Sequence, residues 1–240
     1  MISKNESKYI QTLYHKKQRN EHNLFIVETP KVVEEVLKSN YQIEKIYATQ
    51  EWIDNNPTSI PISIVTQNEL QQISGLQTAN QVLAIVKMQE EANSIHLENK
   101  LSLILDGLQD PGNFGTIIRI ADWFGIENII CSNDCVELYN PKVIQSTMGS
   151  FTRVKVIYRE LEIYLQENKL PVYGALLNGT DVRKIVKPKE GLLLIGNEGK
   201  GIRDSILPYI NNAISIEKVG QAESLNAAIA TGILLSHLVQ

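Results

Sequence analysis

AISIEKVGQAESLNAAIATGILL, residues 213–235, decides the fold. It opens with a short apolar strand signal, Ala213 to Ile216, and passes through a loop carrying Gly220. It then enters a helical pattern in which Leu225, Ala228, Ile229 and Ile233 recur at helix spacing. A strand, a glycine loop and a helix start with Ser224 and Asn226 at its lip form a place where backbone N–H groups point outward and bind a polar ligand. Ser224 also has a plainer reading, as the cap of a C-terminal helix.

Two upstream stretches have the same grammar. In LILDGLQDPGNFGTIIRIADWFGI, residues 103–126, a strand ends at Asp106 and a Gly/Pro loop follows, with Asn113 where an N-cap belongs. In the helix beyond it Ile117, Ile118, Ala121 and Phe124 form the buried stripe. Arg119 lies off that stripe, on a side shared with Thr116 and Trp123. In LLLIGNEGKGI, residues 192–202, three glycines follow a buried strand and permit close backbone approach to a ligand. It is not a P-loop, because Lys200 is followed by Gly201 and not by Ser or Thr. Nor does the spacing of Gly196, Gly199 and Gly201 match the dinucleotide fingerprint. Glu198 suits a ligand or partner bearing amines, hydroxyls or a guanidinium better than a phosphate.

The strands that precede these loops belong to a series: Leu101 to Leu105, Asn128 to Cys131, Arg153 to Ile157, Val172 to Leu177, Leu192 to Ile195 and Ala213 to Ile216. Helical patterns fall between them at Phe114 to Phe124, Pro141 to Met148, Leu161 to Asn168 and Arg203 to Tyr209. Apolar strands with intervening helices predict a parallel sheet covered on both faces. Ligands collect at the carboxyl ends of such strands, so the three loops converge on one site. Its uncharged Gly/Asn/Ser/Leu lining suits a neutral heterocycle and a ribose better than a polyphosphate.

Residues 1–90 read as a separate, smaller α/β unit, residues 91–100 as a polar linker and residues 101–240 as the parallel-sheet unit. The first unit begins with a helical segment holding Lys8, Lys16, Lys17 and Arg19 among few acids. A net charge of −4 argues against indiscriminate nucleic-acid binding but leaves room for a local basic face. With only Cys131, Cys135 and four scattered His, a metal site is not expected and the cysteines read as packing residues. No run reaches the length of a membrane span and the start lacks a signal peptide's apolar core, so the expectation is a cytoplasmic protein without a membrane partner.

Three ordered motifs resemble the SpoU, or TrmH-like, family of RNA 2′-O-ribose methyltransferases within the SPOUT superfamily. They are Asn113-Phe114-Gly115 with Arg119, Ile195-Gly196-Asn197-Glu198-Gly199 with Gly201, and Glu223-Ser224-Leu225-Asn226 with Ala230. Residues 7–37 resemble, more loosely, the opening of that family's substrate-binding module. The sequence departs from the family at Glu28-Thr29, where Glu-Gly is usual, and at Glu217-Lys218, where Pro-Met is common after the strand.

The resemblance implies a trefoil-knot fold, S-adenosylmethionine as cofactor, ribosomal or transfer RNA as substrate, no metal, and a homodimer that completes the site. It implies a cofactor lined by Leu176, Leu194, Ile195, Gly196, Gly199, Ile216, Leu225 and Asn226. It makes Arg119 the contact to the target phosphate and ribose, as an orienting group or as the group that takes the proton. Asn113 would position the substrate or Arg119, Glu198 would hold Arg119 or the active-site loop, and Ser224 and Asn226 would order the cofactor loop and the reacting ribose. Lys8, Lys16, Lys17, Arg19 and Arg119 would face RNA. The rival expectation is an RNA-binding or ribosome-assembly protein that keeps the knot without methyl transfer.

Overall fold

A computed structural model describes residues 2–91 and 95–239. The first half of the chain forms α1 (Lys4–Thr12), α2 (Lys16–His22), β1 (Leu24–Glu28), α3 (Pro30–Leu37), β2 (Ile43–Ala48), α4 (Gln50–Asn55), β3 (Ile62–Ile64), α5 (Gln67–Ile73) and β4 (Val82–Lys87). The second half forms β5 (Leu101–Leu105), α6 (Pro111–Trp123), β6 (Asn128–Ser132), α7 (Pro141–Thr147), β7 (Lys155–Arg159), α8 (Leu161–Glu167), β8 (Val172–Asp181), β9 (Gly191–Ile195), β10 (Asn212–Ser215) and α9 (Ala227–Leu238). Two compact units result. One holds Met1–Glu90 together with Glu137–Thr152, the other Glu91–Val136 together with Arg153–Gln240.

The first unit carries a four-stranded mixed sheet ordered β1-β4-β2-β3. Local chemistry sets its boundaries. Asn23 takes the left-handed conformation that ends α2, Pro30 opens α3, and Thr66 with Glu69 forms a reciprocal capping box at the start of α5. Phe25 packs edge-on against Tyr41 and Phe151 and tilted against Tyr139, with ring centroids 4.5–5.9 Å apart. The segment around α7 thus supplies part of this unit's core.

Arg19, expected on an RNA-facing surface, is instead 1% exposed. Its guanidinium donates to the carbonyls of Leu13 at 3.1 Å and Tyr14 at 2.7 Å and pairs with the Glu137 carboxylate. It therefore acts as an internal tie between distant parts of the chain. Lys8, Lys16 and Lys17 are exposed.

The second unit is built on six parallel strands ordered β10-β8-β9-β5-β6-β7. Strands β5, β6 and β9 are buried along their whole length, which is why they read as mainly apolar runs. Ile104, Ile130, Ile157, Leu161, Leu192 and Leu194 share one core, against which Ile95 and Leu97 of the polar 91–100 stretch also pack. Residues 92–94 of that stretch lie outside the described residues. Because β9 pairs with β5 on one side and β8 on the other, the loops after β5 and β9 emerge side by side.

Strand β8 runs on past the expected Leu177 to Asp181 and β7 is shifted to Lys155–Arg159, and three further boundaries near the site differ from the sequence expectation. Helix α6 starts at Pro111 because the Asp110 carboxylate caps it by accepting the Asn113 N–H at 2.7 Å, so Asn113 lies inside the first turn. The helix expected over Arg203 to Tyr209 contracts to a 3-10 turn, Leu207–Tyr209, with Pro208 within it. Asn226, not Ser224, caps α9, accepting from the N–H groups of Ala228 and Ile229. Among the described residues no helix is long and apolar enough to cross a membrane.

Replacing Arg19 with Ala would leave Glu137 without its main partner and is expected to cost about 3 kcal/mol in urea unfolding. A loss below about 1 kcal/mol, typical of a surface pair, would contradict the buried role.

Candidate functional site

A cavity of about 500 Å³ opens at the carboxyl ends of β9 and β10 and beside the middle of β8, within the size range of small-molecule sites. Its walls are residues 175–177, 195–201, 214–220 and 222–225, with Ala227, Ala230 and Leu234 from α9 behind them. The first wall exists because of a register shift. Ala213 pairs with Gly174 but the next residue, Ile214, pairs with Thr180, so residues 175–179 of β8 bow away from β10. Gly179 makes the return possible, since a Cβ there would lie 2.5 Å from the Ile214 backbone.

The second wall is a closed turn. Asn197 and Gly201 exchange backbone hydrogen bonds of 2.9 Å in both directions, and Gly201 has a φ of +73°. A Cβ on Gly196 would sit 2.3 Å from the Gly201 carbonyl carbon. The glycines are therefore spent on closing the turn as well as on approach to a ligand. The Asn197 side chain fills it, accepting from the N–H groups of Gly199 and Lys200 and donating to the Gly107 carbonyl at 2.7 Å. Four backbone donors of this turn, those of Asn197, Gly199, Lys200 and Gly201, are thus consumed internally. The third wall is the opposite case: across residues 217–225 no backbone group is hydrogen-bonded within the described residues.

At the lip, side chains from all three motifs join. Asn226 Nδ2 donates to Asn113 Oδ1 at 2.8 Å, and Asn113 Nδ2 donates to Glu198 Oε1 at 3.0 Å. Below this chain the Asp106 carboxylate, 1% exposed, accepts from the Arg203 backbone N–H at 2.9 Å and from its Nε at 2.6 Å. Asn197 and the Asp106–Arg203 pair are the members that sequence reasoning passed over. A lone carboxylate ending an all-apolar strand was the available signal for Asp106.

The structure brings together most, but not all, of the expected residues. Leu176, Ile195, Gly196, Gly199, Ile216 and Leu225 line the cavity, as do Glu198 and the exposed Ser224. Leu194 does not: it is fully buried in the sheet core. Asn226 borders a neighbouring groove between α6 and α9 with Asn113, Thr116, Ile120, Ile229 and Ile233. Arg119 borders neither hollow. It is exposed and makes no hydrogen bond or ion pair among the described residues. Trp123, one turn further along α6, is 85% exposed. Cys131 and Cys135 are buried free thiols, and no cluster of three or more metal-ligating side chains occurs among the described residues.

Comparison with known proteins places this geometry in context. Residues 100–236 match the SpoU rRNA Methylase family, and residues 4–84 match an MRM3-like substrate binding domain. The chain is 33% identical over 232 residues to the 23S rRNA (guanosine(2553)-2'-O)-methyltransferase RlmP of Bacillus subtilis, covering 94% of this chain and 92% of that one. A TrmH-family protein from Porphyromonas gingivalis superposes with a TM-score of 0.88 at 32% identity, covering 100% of this chain and 98% of the other. The AdoMet-bound rRNA methyltransferase from Sinorhizobium meliloti superposes with a TM-score of 0.87 at 27% identity, covering 99% and 96%.

Gly196→Ala is expected to lower stability by about 1–3 kcal/mol, because its methyl group would meet backbone that the Asn197–Gly201 bridge holds in place. Chemical denaturation checks this, and a neutral outcome would show that the turn is slack.

Proposed function

The chain belongs to the SpoU rRNA methylase family and is an RNA ribose 2′-O-methyltransferase, and on that premise we propose how its site is used. The cavity takes S-adenosylmethionine. Its volume, its apolar walls at Leu176, Ile195, Ile216 and Leu225, and the unspent backbone groups of residues 217–225 suit a ligand with a heteroaromatic ring, a ribose and an amino-acid tail. The observation that carries the reading is the Asn226–Asn113–Glu198 chain, which ties the three loops together where a ribose would enter.

The cofactor supplies an electrophilic methyl group on a sulfonium. What the protein contributes is geometry, holding a 2′-hydroxyl in line with that methyl, so that the new C–O bond forms as the C–S bond breaks, the thioether leaves neutral and the hydroxyl proton passes to solvent. Asn113, fixed on both sides, and Ser224 at the cavity lip orient the ribose. Glu198 keeps Asn113 in place and carries the local negative charge. Arg119 grips the target phosphate. A guanidinium is a forked donor that matches phosphate oxygens, so its part is orientation.

Arg119 lies off the cavity within its own chain, which favours delivery by a second copy. The groove between α6 and α9, edged by Ile120, Ile229 and Ile233 and continued by the exposed Trp123, is the face we assign to a homodimer. The substrate is RNA, and we take it to be ribosomal. The first unit, with exposed Lys8, Lys16 and Lys17, serves as its docking module. The trefoil-knotted passage of the C-terminal segment belongs to the same reading.

Arg119→Ala should reduce methyl transfer to background while changing S-adenosylmethionine affinity less than about twofold, since its part is on the substrate side. Lost cofactor affinity with normal turnover at saturation would contradict the assignment. In sedimentation at micromolar concentration the wild type should run as a dimer and Ile229→Asp as a monomer; an active monomer would count against the shared site.

A further inference from the structure

The loop that walls the cavity opposite the Asn197 turn has a single tie. Across residues 217–225 the one hydrogen bond or ion pair to the rest of the described chain joins Glu217 to Arg183. Every residue of this segment is exposed, and nearly all of them line the cavity. Few contacts and unspent backbone groups mark a segment that opens easily, and ordering it on ligand binding costs affinity.

Arg183 is itself well anchored. Asp181, the last residue of β8, accepts the Arg183 backbone N–H on Oδ1 at 3.0 Å. It also takes Nε on both carboxylate oxygens, at 3.0 and 2.9 Å, and Nη2 on Oδ2 at 2.5 Å. This grip holds the Asp181 carboxyl down to about 2, the side-chain hydrogen bond from Arg183 being the main cause. Register brings Glu217 to it, because Ser215 lies opposite Asp181 and its hydroxyl donates to the Gly179 carbonyl at 2.9 Å.

We propose that Arg183 is a positioning residue, clasping Glu217 to the end of β8 so that residues 217–225 are held in the cofactor-receiving arrangement. This rests on the cavity being the S-adenosylmethionine site. A tie made of exposed charges is weak and screened by salt, so its effect on affinity is about two- to fivefold at low ionic strength and fades as salt rises.

Calorimetric titration of S-adenosylhomocysteine into the full chain, at low salt and at about 0.5 M salt, tests this. Arg183→Gln should bind about two- to fivefold more weakly at low salt, and Glu217→Gln in the same background should add no further loss. The deficit should shrink at high salt. Turnover of Arg183→Gln at saturating cofactor should match the wild type, while amide exchange across residues 217–225 speeds up. Wild-type affinity in Arg183→Gln, or a deficit that survives high salt, overturns the clasp alone. Failure of the wild type itself to bind overturns the cavity assignment and the clasp with it.

Discussion

One amide side chain connects the three loops of this site. Asn113 accepts from Asn226 and donates to Glu198, so side chains from the stretches that follow β5, β9 and β10 meet at a single group. Asparagine is suited to this because it carries a donor and an acceptor on one short, planar unit. An aspartate could not donate to Glu198 and would place two carboxylates side by side. A leucine would offer neither bond. With the asparagine in place, the polar lip above an otherwise apolar cavity is arranged before any ligand arrives, which is where catalysis by positioning draws its advantage.

The constraint works because the layer beneath is rigid. The parallel pairing of β5 with β9 sets the two loops side by side. Asp106, buried at the end of β5, then grips the backbone and guanidinium of Arg203 on the far side of the glycine turn. A buried carboxylate without such partners would be costly, so the pair reports how closely the two loops are held. Asn197 adds a second tie by reaching the Gly107 carbonyl. Against this fixed floor the 217–225 wall is open and lightly tethered. One half of the cavity is therefore preformed and the other half is able to admit a ligand and close around it.

Much of this was legible in the sequence. The continuous apolar runs of β5 and β9 and the Gly/Asn-rich loops after them pointed to a parallel sheet with converging loops, because burial on both faces leaves that imprint. Features set by distant partners were not legible. Arg19 sat in a basic segment that read as an RNA-facing surface, and its pairing partner Glu137 lies 118 positions away. The bow of β8 at residues 175–179 depends on its register with β10. Asp110 and Asn226 replaced Asn113 and Ser224 as helix caps because neighbouring residues had equal capping chemistry, and only the final backbone path chose between them. Glu217 and Lys218 were visible as a departure from the family, while the partner that gives Glu217 its use lies 34 positions upstream.

The most direct test is to incubate the wild type and Asn113→Asp with methyl-labelled S-adenosylmethionine and unmodified ribosomal RNA, then digest the RNA and identify the labelled nucleoside by mass spectrometry. The account predicts label in one 2′-O-methylnucleoside with the wild type and none with Asn113→Asp, both proteins still binding the cofactor. Label on a base, or full transfer by Asn113→Asp, would contradict a ribose site organised around that amide.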